Sequence, residues 1–185
     1  MHTDDMILYK KWKPMSHYFS TDDYFFMSQA LEEAKKAYQD GEVPVGAVLV
    51  HGKTIISAAH NQVEGMKDST AHAEITCLQK GTAFFNDWRL LDTTLYVTLE
   101  PCSMCAGALL LARVKKVIWG APDYRHGANG SWIDILGTHH PIHNIDHVGG
   151  LMEEEAKVLM QTFFKKQRIR KKNEQIYSGQ IERAF

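Results

Sequence analysis

Two short motifs in the sequence carry residue types that could bind a metal ion and move protons. They are His72-Ala73-Glu74 and Pro101-Cys102-Ser103-Met104-Cys105. Either motif alone is weak evidence, since a Cys-x-x-Cys motif also serves redox chemistry. Together, a neutral imidazole and two thiolates form a borderline-soft ligand set that suits zinc and leaves the fourth tetrahedral position to water. Such a water loses a proton near neutral pH and becomes a nucleophile, and a carboxylate such as Glu74 can carry the proton to a leaving group. The two motifs therefore predict one catalytic zinc ion per subunit.

Cys77 opens an alternative in which the zinc ion is only structural. It follows His72 by five residues and could complete a four-ligand site. The chain would then be a non-catalytic zinc or RNA-binding module. Free cysteines are more often small apolar residues of a protein core, and a suitable glutamate stands beside only three apparent ligands. We therefore favour the catalytic interpretation.

The spacing of apolar residues predicts that both motifs lie where a helix begins. Pro101 suits a helix start, because its missing N–H has no partner there in any case. Cys102 and Cys105 are three residues apart and face the same side of a first helical turn. The positive end of the helix lowers the pKa of a thiol at this place and favours metal binding.

Strand and helix patterns alternate in the second half of the chain, which predicts a three-layer α/β/α fold with a central mixed sheet of about five strands. Strands are predicted over 45–50, 54–59, 94–99 and 116–121 and around Ile145. Helices are predicted over 22–40 with Thr21 as the cap, over 71–78 with Ser69 or Thr70 as the cap and an end near Gly81, from Pro101 through 106–112, and from Gly150 to about Lys172. One helical turn is expected near 132–136 within a long loop.

Length and composition are those of one globular domain. The chain has 185 residues, of which 44% are hydrophobic and 23% charged, and its net charge is −1. These values exclude a disordered chain and give no whole-chain argument for nucleic acid or an anionic membrane. Three cysteines, no readable signal peptide and no membrane-spanning stretch predict a cytoplasmic protein. We expect a flexible N-terminal extension over 1–20, a catalytic domain over 21–172 and a C-terminal tail over 173–185.

His-x-Glu followed by Pro-Cys-x-x-Cys resembles the signature of the zinc-dependent cytidine and deoxycytidylate deaminase superfamily. Flanking residues are similar to the bacterial tRNA-specific adenosine deaminases within it, namely 42–48, 71–75, 98–102, 104–108, Gly120, Ala121, Asp123, Gly127, Ala128, Gly130 and Ser131. The resemblance implies a cytidine-deaminase-like fold and hydrolytic deamination of adenosine to inosine at the wobble position of tRNA, with arginine tRNA expected. It implies a homodimer that binds the tRNA anticodon loop, and neither DNA nor a membrane is expected as a partner. His72, Cys102 and Cys105 match the zinc ligands, and Glu74 matches the proton shuttle.

Two further residues match positions that hold the nucleoside in this family. Asn61 matches an asparagine that hydrogen-bonds the target nucleoside, and its amide offers a donor and an acceptor to a purine edge or ribose. From local sequence alone it could equally be a turn asparagine that closes a strand. Val45 matches a residue that packs on the base, although its local pattern is that of a strand core.

The loop over 123–127 resembles the family's loop beside the pocket, which contacts anticodon nucleotides. Asp123 and Arg125 are its candidate substrate-binding residues. Pro122 replaces a residue that is usually polar in the family, and Arg125 stands where lysine is common. Near residues 137–140 the chain is about two residues longer than the family pattern, so no role is transferred there.

The segment 163–172 is a local basic patch, rich in lysine and arginine and without an acidic residue. Arg168 could neutralise phosphates, and Phe164 could stack on an unpaired base of an RNA loop. Such a run of charge is also common at a solvated helix end, where it favours the helix dipole.

A second candidate function keeps the chemistry and changes the substrate. The zinc ligands would serve equally in a deaminase of a free base, nucleoside or nucleotide, such as guanine, cytosine or deoxycytidylate. The basic patch and the similarity over 42–48 favour tRNA.

Overall fold

The computed structural model describes residues 19–181, with side chains through residue 174. In chain order the elements are α1 (Thr21–Gln39), β1 (Gly46–His51), β2 (Thr54–His60), α2 (Val63–Met66), α3 (Ala73–Phe85), β3 (Thr93–Leu99), α4 (Ser103–Leu111), β4 (Lys116–Ala121), β5 (Asp146–Gly149) and α5 (Glu153–Ile181). Residues 1–18 of the expected flexible extension over 1–20, and residues 182–185 of the expected C-terminal tail over 173–185, lie outside the described residues.

The five strands form one mixed sheet in the order β2-β1-β3-β4-β5. β1 pairs antiparallel with β2 and β3, whereas β3, β4 and β5 run parallel to one another. Parallel neighbours need a crossover connection, and α4 supplies it between β3 and β4. The predicted sheet of about five strands is confirmed.

Successive strand residues enter two separate cores, one on each face of the sheet. Leu49 and Leu95 belong to the core that α3 and α4 cover. Val48 and Tyr96, each one residue away, belong to the core that α1 covers. α5 packs on the same face as α1, where Ala156 joins a small cluster with residues of α1 and β4. The sheet is therefore covered on both faces, as predicted.

Ser20, rather than the predicted Thr21, caps α1. Its hydroxyl accepts the backbone N–H of Asp23 at 3.1 Å, and the Asp23 carboxylate accepts the backbone N–H of Ser20 at 2.8 Å. This reciprocal pair is a capping box, which satisfies two N–H groups that the helix itself cannot bond.

The predicted hydroxyl cap of α3 is wrong. The N-cap residue is His72, and its side chain makes no capping bond. The Thr70 hydroxyl instead donates to Asp68 at 2.7 Å, within a turn that precedes the helix. α4 likewise begins later than Pro101, at Ser103 with Cys102 as its N-cap.

α3 continues through Gly81, where the sequence predicted its end, and stops at Phe85. A Cβ atom at Gly81 would lie 2.5 Å from Cδ2 of Leu49 in β1. The glycine therefore allows the helix to approach the sheet closely and does not terminate it.

The last third of the chain differs from the predictions in two places. α5 extends nine residues past the predicted end at Lys172, because neither proline nor glycine interrupts it before Gly179. The expected helical turn near 132–136 is an irregular loop, in which the Asp134 carboxylate accepts the backbone N–H of Gly137 at 2.8 Å. Across residues 19–181, no helix combines the length and the apolar character that crossing a membrane requires.

Candidate active site

Three metal-ligating side chains meet where α3 and α4 begin. Nδ1 of His72 lies 3.7 Å from Sγ of Cys102 and 3.5 Å from Sγ of Cys105. All three ligand atoms lie within 4.8 Å of one another. One imidazole and two thiols at these separations match the donor set of a tetrahedral metal site that keeps one position open. The sequence predicted this group, and the structure brings its members together.

Two of these three residues are helix N-caps whose side chains do not hydrogen-bond to the helix backbone. His72 and Cys102 both have extended backbone at the N-cap position, and neither side chain makes a capping bond. Most N-cap residues turn a side-chain oxygen toward the N–H groups of the first turn. Here the imidazole and the thiol turn toward each other, and Cys105 reaches them from the first turn of α4.

Hydrogen bonding makes the two thiols of the group unequal. A hydrogen bond from Cys105, and a weaker effect of His72, lower the pKa of Cys102 to about 4. The same contact with Cys102 raises the pKa of Cys105, and burial raises it further. The contact with Cys102 also raises the pKa of His72. Cys102 is therefore a thiolate at neutral pH, which is the form that binds metal ions.

Glu74 lies in the first turn of α3, two residues after His72, and is only 4% exposed. Burial raises the pKa of its carboxyl group, because an apolar surrounding disfavours the charged form. A carboxyl group with a raised pKa can accept and return a proton closer to neutral pH than an exposed one. Glu74 lines the same cavity as His72 and Cys102.

A cavity of about 920 Å³ collects the other residues that the sequence singled out. This volume lies near the upper end of the roughly 300–1,000 Å³ typical of small-molecule pockets. Besides Glu74 and the half-buried residues His72 and Cys102, its wall includes Val45, Asn61, Asp123, Arg125, Phe164 and Arg168. Cys105 is fully buried and contributes to the metal group from behind the cavity wall.

Cys77 lies away from the metal group. It is fully buried in the core between α3 and the sheet, and its thiol donates to the backbone carbonyl of Ala47 at 3.2 Å. Burial raises its pKa to about 12, so it stays a neutral thiol. The described residues therefore offer His72, Cys102 and Cys105 without Cys77 as a fourth ligand.

Glu100, which the sequence analysis did not select, holds the loop beside the cavity. It is buried, and its carboxylate accepts the backbone N–H groups of Asp123 at 3.1 Å, Asn129 at 2.9 Å and Ser131 at 3.2 Å. The Ser131 hydroxyl donates to the same carboxylate. A Cβ atom on Gly127 would collide with this carboxyl group, so the loop can wrap around it only with glycine there.

Glu42 is a second buried glutamate that the sequence analysis did not select, and it lines the cavity next to Asn61. In the sequence, Glu42 and Glu100 are each a single charged residue beside an apolar segment. Because glutamate is rarely buried without partners, this placement is the sequence signal that could have indicated a hydrogen-bonded carboxylate at each position.

Aromatic side chains stand at the cavity wall and are widely exposed. Tyr124 is 77% exposed, Trp132 60% and Phe164 41%. Of these three, Phe164 is the residue that the sequence predicts to bind substrate. The sequence predicts Trp132 in a helical turn, whereas the structure places it in an irregular loop that borders the cavity.

The positive charge of α5 is divided between the cavity and other surroundings. Arg168 and Lys157 line the cavity, and Lys157 is paired with Glu153 and Glu154. The ammonium group of Lys166 instead lies 5.3 Å from the centre of the Tyr38 ring. Only part of the basic segment thus borders the cavity.

Proteins of known function resemble this chain over most of its length. The tRNA-specific adenosine deaminase of Bacillus subtilis (strain 168) is 45% identical over 152 residues, covering 82% of this chain and 94% of the relative. The chloroplastic tRNA(adenine(34)) deaminase of Arabidopsis thaliana is 49% identical over 160 residues, and this chain spans 12% of that relative's length. A solved structure from studies of A-to-I editing by tRNA:A34 deaminases at the wobble position of transfer RNA matches with a TM-score of 0.70 and 38% identity, covering 73% of this chain and 98% of that chain.

The mixed sheet, the His/Cys/Cys group and the match of the MafB19-like deaminase family model to residues 21–177 define a deaminase with the cytidine deaminase-like fold. Within this class of deaminases, the relatives indicate the particular family. The chain belongs to the family of tRNA-specific adenosine deaminases. The fold and the family that the two sequence motifs implied are confirmed.

Proposed function

We propose that this chain converts adenosine to inosine at the wobble position of a tRNA anticodon by hydrolytic deamination. The observation that carries the proposal is the joint placement of a His/Cys/Cys group and a buried glutamate in one cavity. Family membership supplies the substrate, since relatives of this similarity are named for tRNA adenosine.

His72, Cys102 and Cys105 would hold one zinc ion, which their donor atoms fit by type and separation. When bound, zinc lowers the pKa of a water molecule and so supplies a nucleophile at neutral pH. The thiolate of Cys102 is prepared for this role by its lowered pKa.

Glu74 is the proton carrier of the reaction. The oxygen of water forms a bond to C6 of adenine, the bond from C6 to the amino nitrogen breaks, and ammonia leaves. The Glu74 carboxylate takes one proton from the attacking water and delivers it to N1 of adenine. It then takes the remaining hydroxyl proton and delivers it to the departing amino nitrogen, so that C6 becomes a carbonyl and Glu74 ends the cycle as it began. Its burial beside the metal ligands keeps bulk water from competing for that proton.

Asn61 and Val45 would hold the target nucleoside in the cavity. The Asn61 amide offers hydrogen bonds to a purine edge or ribose, and the side chain of Val45 offers an apolar surface to the base. Val45 directly precedes β1 and Asn61 directly follows β2, so the sheet holds both residues in place.

The outer wall of the cavity suits an RNA loop better than a free base. Arg125 and Arg168 can neutralise phosphates, and the exposed ring of Phe164 can stack on an unpaired base. Asp123 belongs to the same protein loop as Arg125 and also lines the cavity. A free base would leave these groups without partners. The anticodon loop is therefore the proposed partner.

The family resemblance supports arginine tRNA as the substrate and a homodimer as the active assembly. Free cysteines at Cys77, Cys102 and Cys105 support a reducing compartment, and we place the reaction in the cytoplasm.

The test is a comparison of substrates with the zinc-loaded protein. An anticodon stem-loop with adenosine at the wobble position is incubated in parallel with free adenosine, cytidine and guanine, and products are separated and quantified. We expect inosine in the stem-loop and no turnover of the free compounds. Turnover of a free compound without conversion of the stem-loop would contradict the proposal.

A further inference from the structure

Glu42 has a role in the cavity that the proposed reaction leaves open. It lies between α1 and β1 and is only 3% exposed. Its Oε2 atom accepts the side-chain N–H of Asn61 at 3.3 Å and the backbone N–H of Glu64 at 3.1 Å. Its Oε1 atom accepts the backbone N–H of Gly65 at 2.6 Å. Both carboxylate oxygens therefore have N–H partners.

These contacts determine which way the Asn61 amide is turned. A carboxylate can only accept hydrogen bonds, so the Asn61 amide must turn its nitrogen toward Glu42. The opposite orientation would place two acceptor oxygens against each other in a buried place, which is unfavourable. The backbone N–H of Asn61 is itself bonded to the carbonyl of Val45 at 2.9 Å, so main chain and side chain are both fixed.

We propose that Glu42 is a positioning residue that fixes the amide orientation of Asn61 and thereby the pattern of donor and acceptor that a nucleoside meets in the cavity. The carbonyl oxygen and the second N–H of the amide remain for the substrate. A half-turn of the amide would exchange them, and nucleosides differ in the order of donors and acceptors along their edges. This inference rests on the proposed function. Through Glu64 and Gly65, the same carboxylate ties the short helix α2 to the nucleoside side of the cavity.

Glu42→Gln tests the inference with little change in shape. A glutamine keeps an acceptor at one end only, and its amide nitrogen must face either the N–H of Gly65 or the amide of Asn61. The Asn61 amide then loses its single enforced orientation. We expect kcat/KM on the anticodon stem-loop to fall roughly tenfold, the effect of losing one hydrogen bond to a charged partner.

A double-mutant cycle separates positioning from a general structural role. If Glu42 acts through Asn61, Glu42→Gln has little further effect on kcat/KM in an Asn61→Ala background. Glu32→Gln is the matched control, since Glu32 lies on the exposed side of α1 and, within residues 19–174, pairs with Lys35 alone. We expect it to leave kcat/KM unchanged. Equal losses from Glu42→Gln with and without Asn61 would overturn the inference.

A second measurement requires neither variant nor activity. In the wild-type, zinc-loaded protein with ¹⁵N-labelled asparagine, we expect one side-chain N–H of Asn61 to be protected from exchange with solvent. Exchange of both protons at the rate of an exposed asparagine would overturn the inference, whatever the variants do. An inactive wild type with a protected Asn61 amide would instead count against the proposed function alone.

Discussion

Three buried glutamates, Glu42, Glu74 and Glu100, border the cavity, and the surroundings of Glu74 differ from those of the other two. The carboxylates of Glu42 and Glu100 are surrounded by N–H donors, which satisfy acceptor oxygens and hold loops in place. Glu74 has a different setting, because burial raises its pKa. This difference in surroundings supports the proposed role of Glu74 as the proton carrier.

Replacing Glu74 tests the proton-carrier role. Glu74→Gln keeps the shape of the side chain and removes its ability to accept a proton. We expect kcat on the stem-loop to fall by roughly 10²–10⁴-fold, the usual contribution of a positioned acid or base. We expect zinc content to stay at the wild-type value, because Glu74 is not one of the proposed zinc ligands. The melting temperature should change little, because glutamine has nearly the same shape as glutamate. A variant with wild-type kcat would show that another group moves the proton.

Cysteine variants separate the catalytic from the structural interpretation of the metal. Cys105→Ala removes one of the three proposed zinc ligands, so we expect the purified variant to contain no zinc. Cys77→Ala removes only a buried thiol and its bond to Ala47, so zinc content is unchanged while stability falls by about 1–2 kcal/mol. Elemental analysis and denaturant unfolding give the two results. Loss of zinc from Cys77→Ala would contradict the three-ligand site.

The helices and the cavity loop reach their positions by different means. The helices α3 and α4 pack on the sheet through apolar residues, and their first turns carry the metal group to the end of β3. The loop that follows β4 has no apolar periodicity. The carboxylate of Glu100 holds it through three backbone N–H groups, and the carbonyl of Pro101 accepts two further hydrogen bonds from Ala128 and Asn129. A helix can therefore be predicted from local pattern, whereas this loop depends on a contact that spans 31 residues of chain.

The loop should detach when its carboxylate is neutralised. In Glu100→Gln the amide nitrogen faces N–H donors, and at least one buried N–H loses its acceptor. We expect a loss of about 1–3 kcal/mol in the free energy of unfolding. Hydrogen exchange at the Asp123, Asn129 and Ser131 amides should accelerate more than exchange in the sheet. Glu155→Gln on the exposed face of α5 is the control, and we expect it to change neither the free energy of unfolding nor the exchange of the loop amides appreciably. Unchanged exchange of the loop amides in Glu100→Gln would refute the anchoring role.

The start of α1 gives a pH-dependent prediction. Burial raises the pKa of Asp23, but hydrogen bonds from Ser20 and Tyr96 outweigh this effect and lower it overall. A carboxyl group with a lowered folded-state pKa stabilises the fold above its unfolded pKa of about 3.9, and this stability disappears as pH falls through the folded-state pKa. Ser20→Ala should cost about 1 kcal/mol at pH 7.

The cost of Ser20→Ala should shrink in acid as Asp23 becomes protonated and the capping box is lost in the wild type as well. Urea unfolding of both proteins across the acid range measures the difference. Ser28→Ala is the control, because the Ser28 hydroxyl donates to the carbonyl of Phe25 at 2.6 Å and accepts from the side-chain amide of Gln29 at 3.5 Å, and neither contact involves a carboxylate. A cost of Ser20→Ala that is constant with pH would contradict this account of the cap.

For the whole molecule, the sequence predicts what depends on local pattern and leaves out what depends on distant contacts. The sheet follows from strand patterns, and the metal group follows from residue types at the starts of two helices. The end of α3 was misplaced because Gly81 fits against Leu49 of a strand, a contact that no local pattern contains. The pairing of Glu42 with Asn61 was missed for the same reason, since 19 residues separate them.

The most direct test of the whole account follows oxygen and metal together. A stem-loop with adenosine at the wobble position is incubated in heavy-oxygen water with zinc-loaded protein and with protein stripped of metal by a chelator. We expect inosine that carries the heavy oxygen at C6, formed at the wobble position only and only by the zinc-loaded protein. Equal conversion by the stripped protein, or no inosine in the stem-loop with either preparation, would contradict the account.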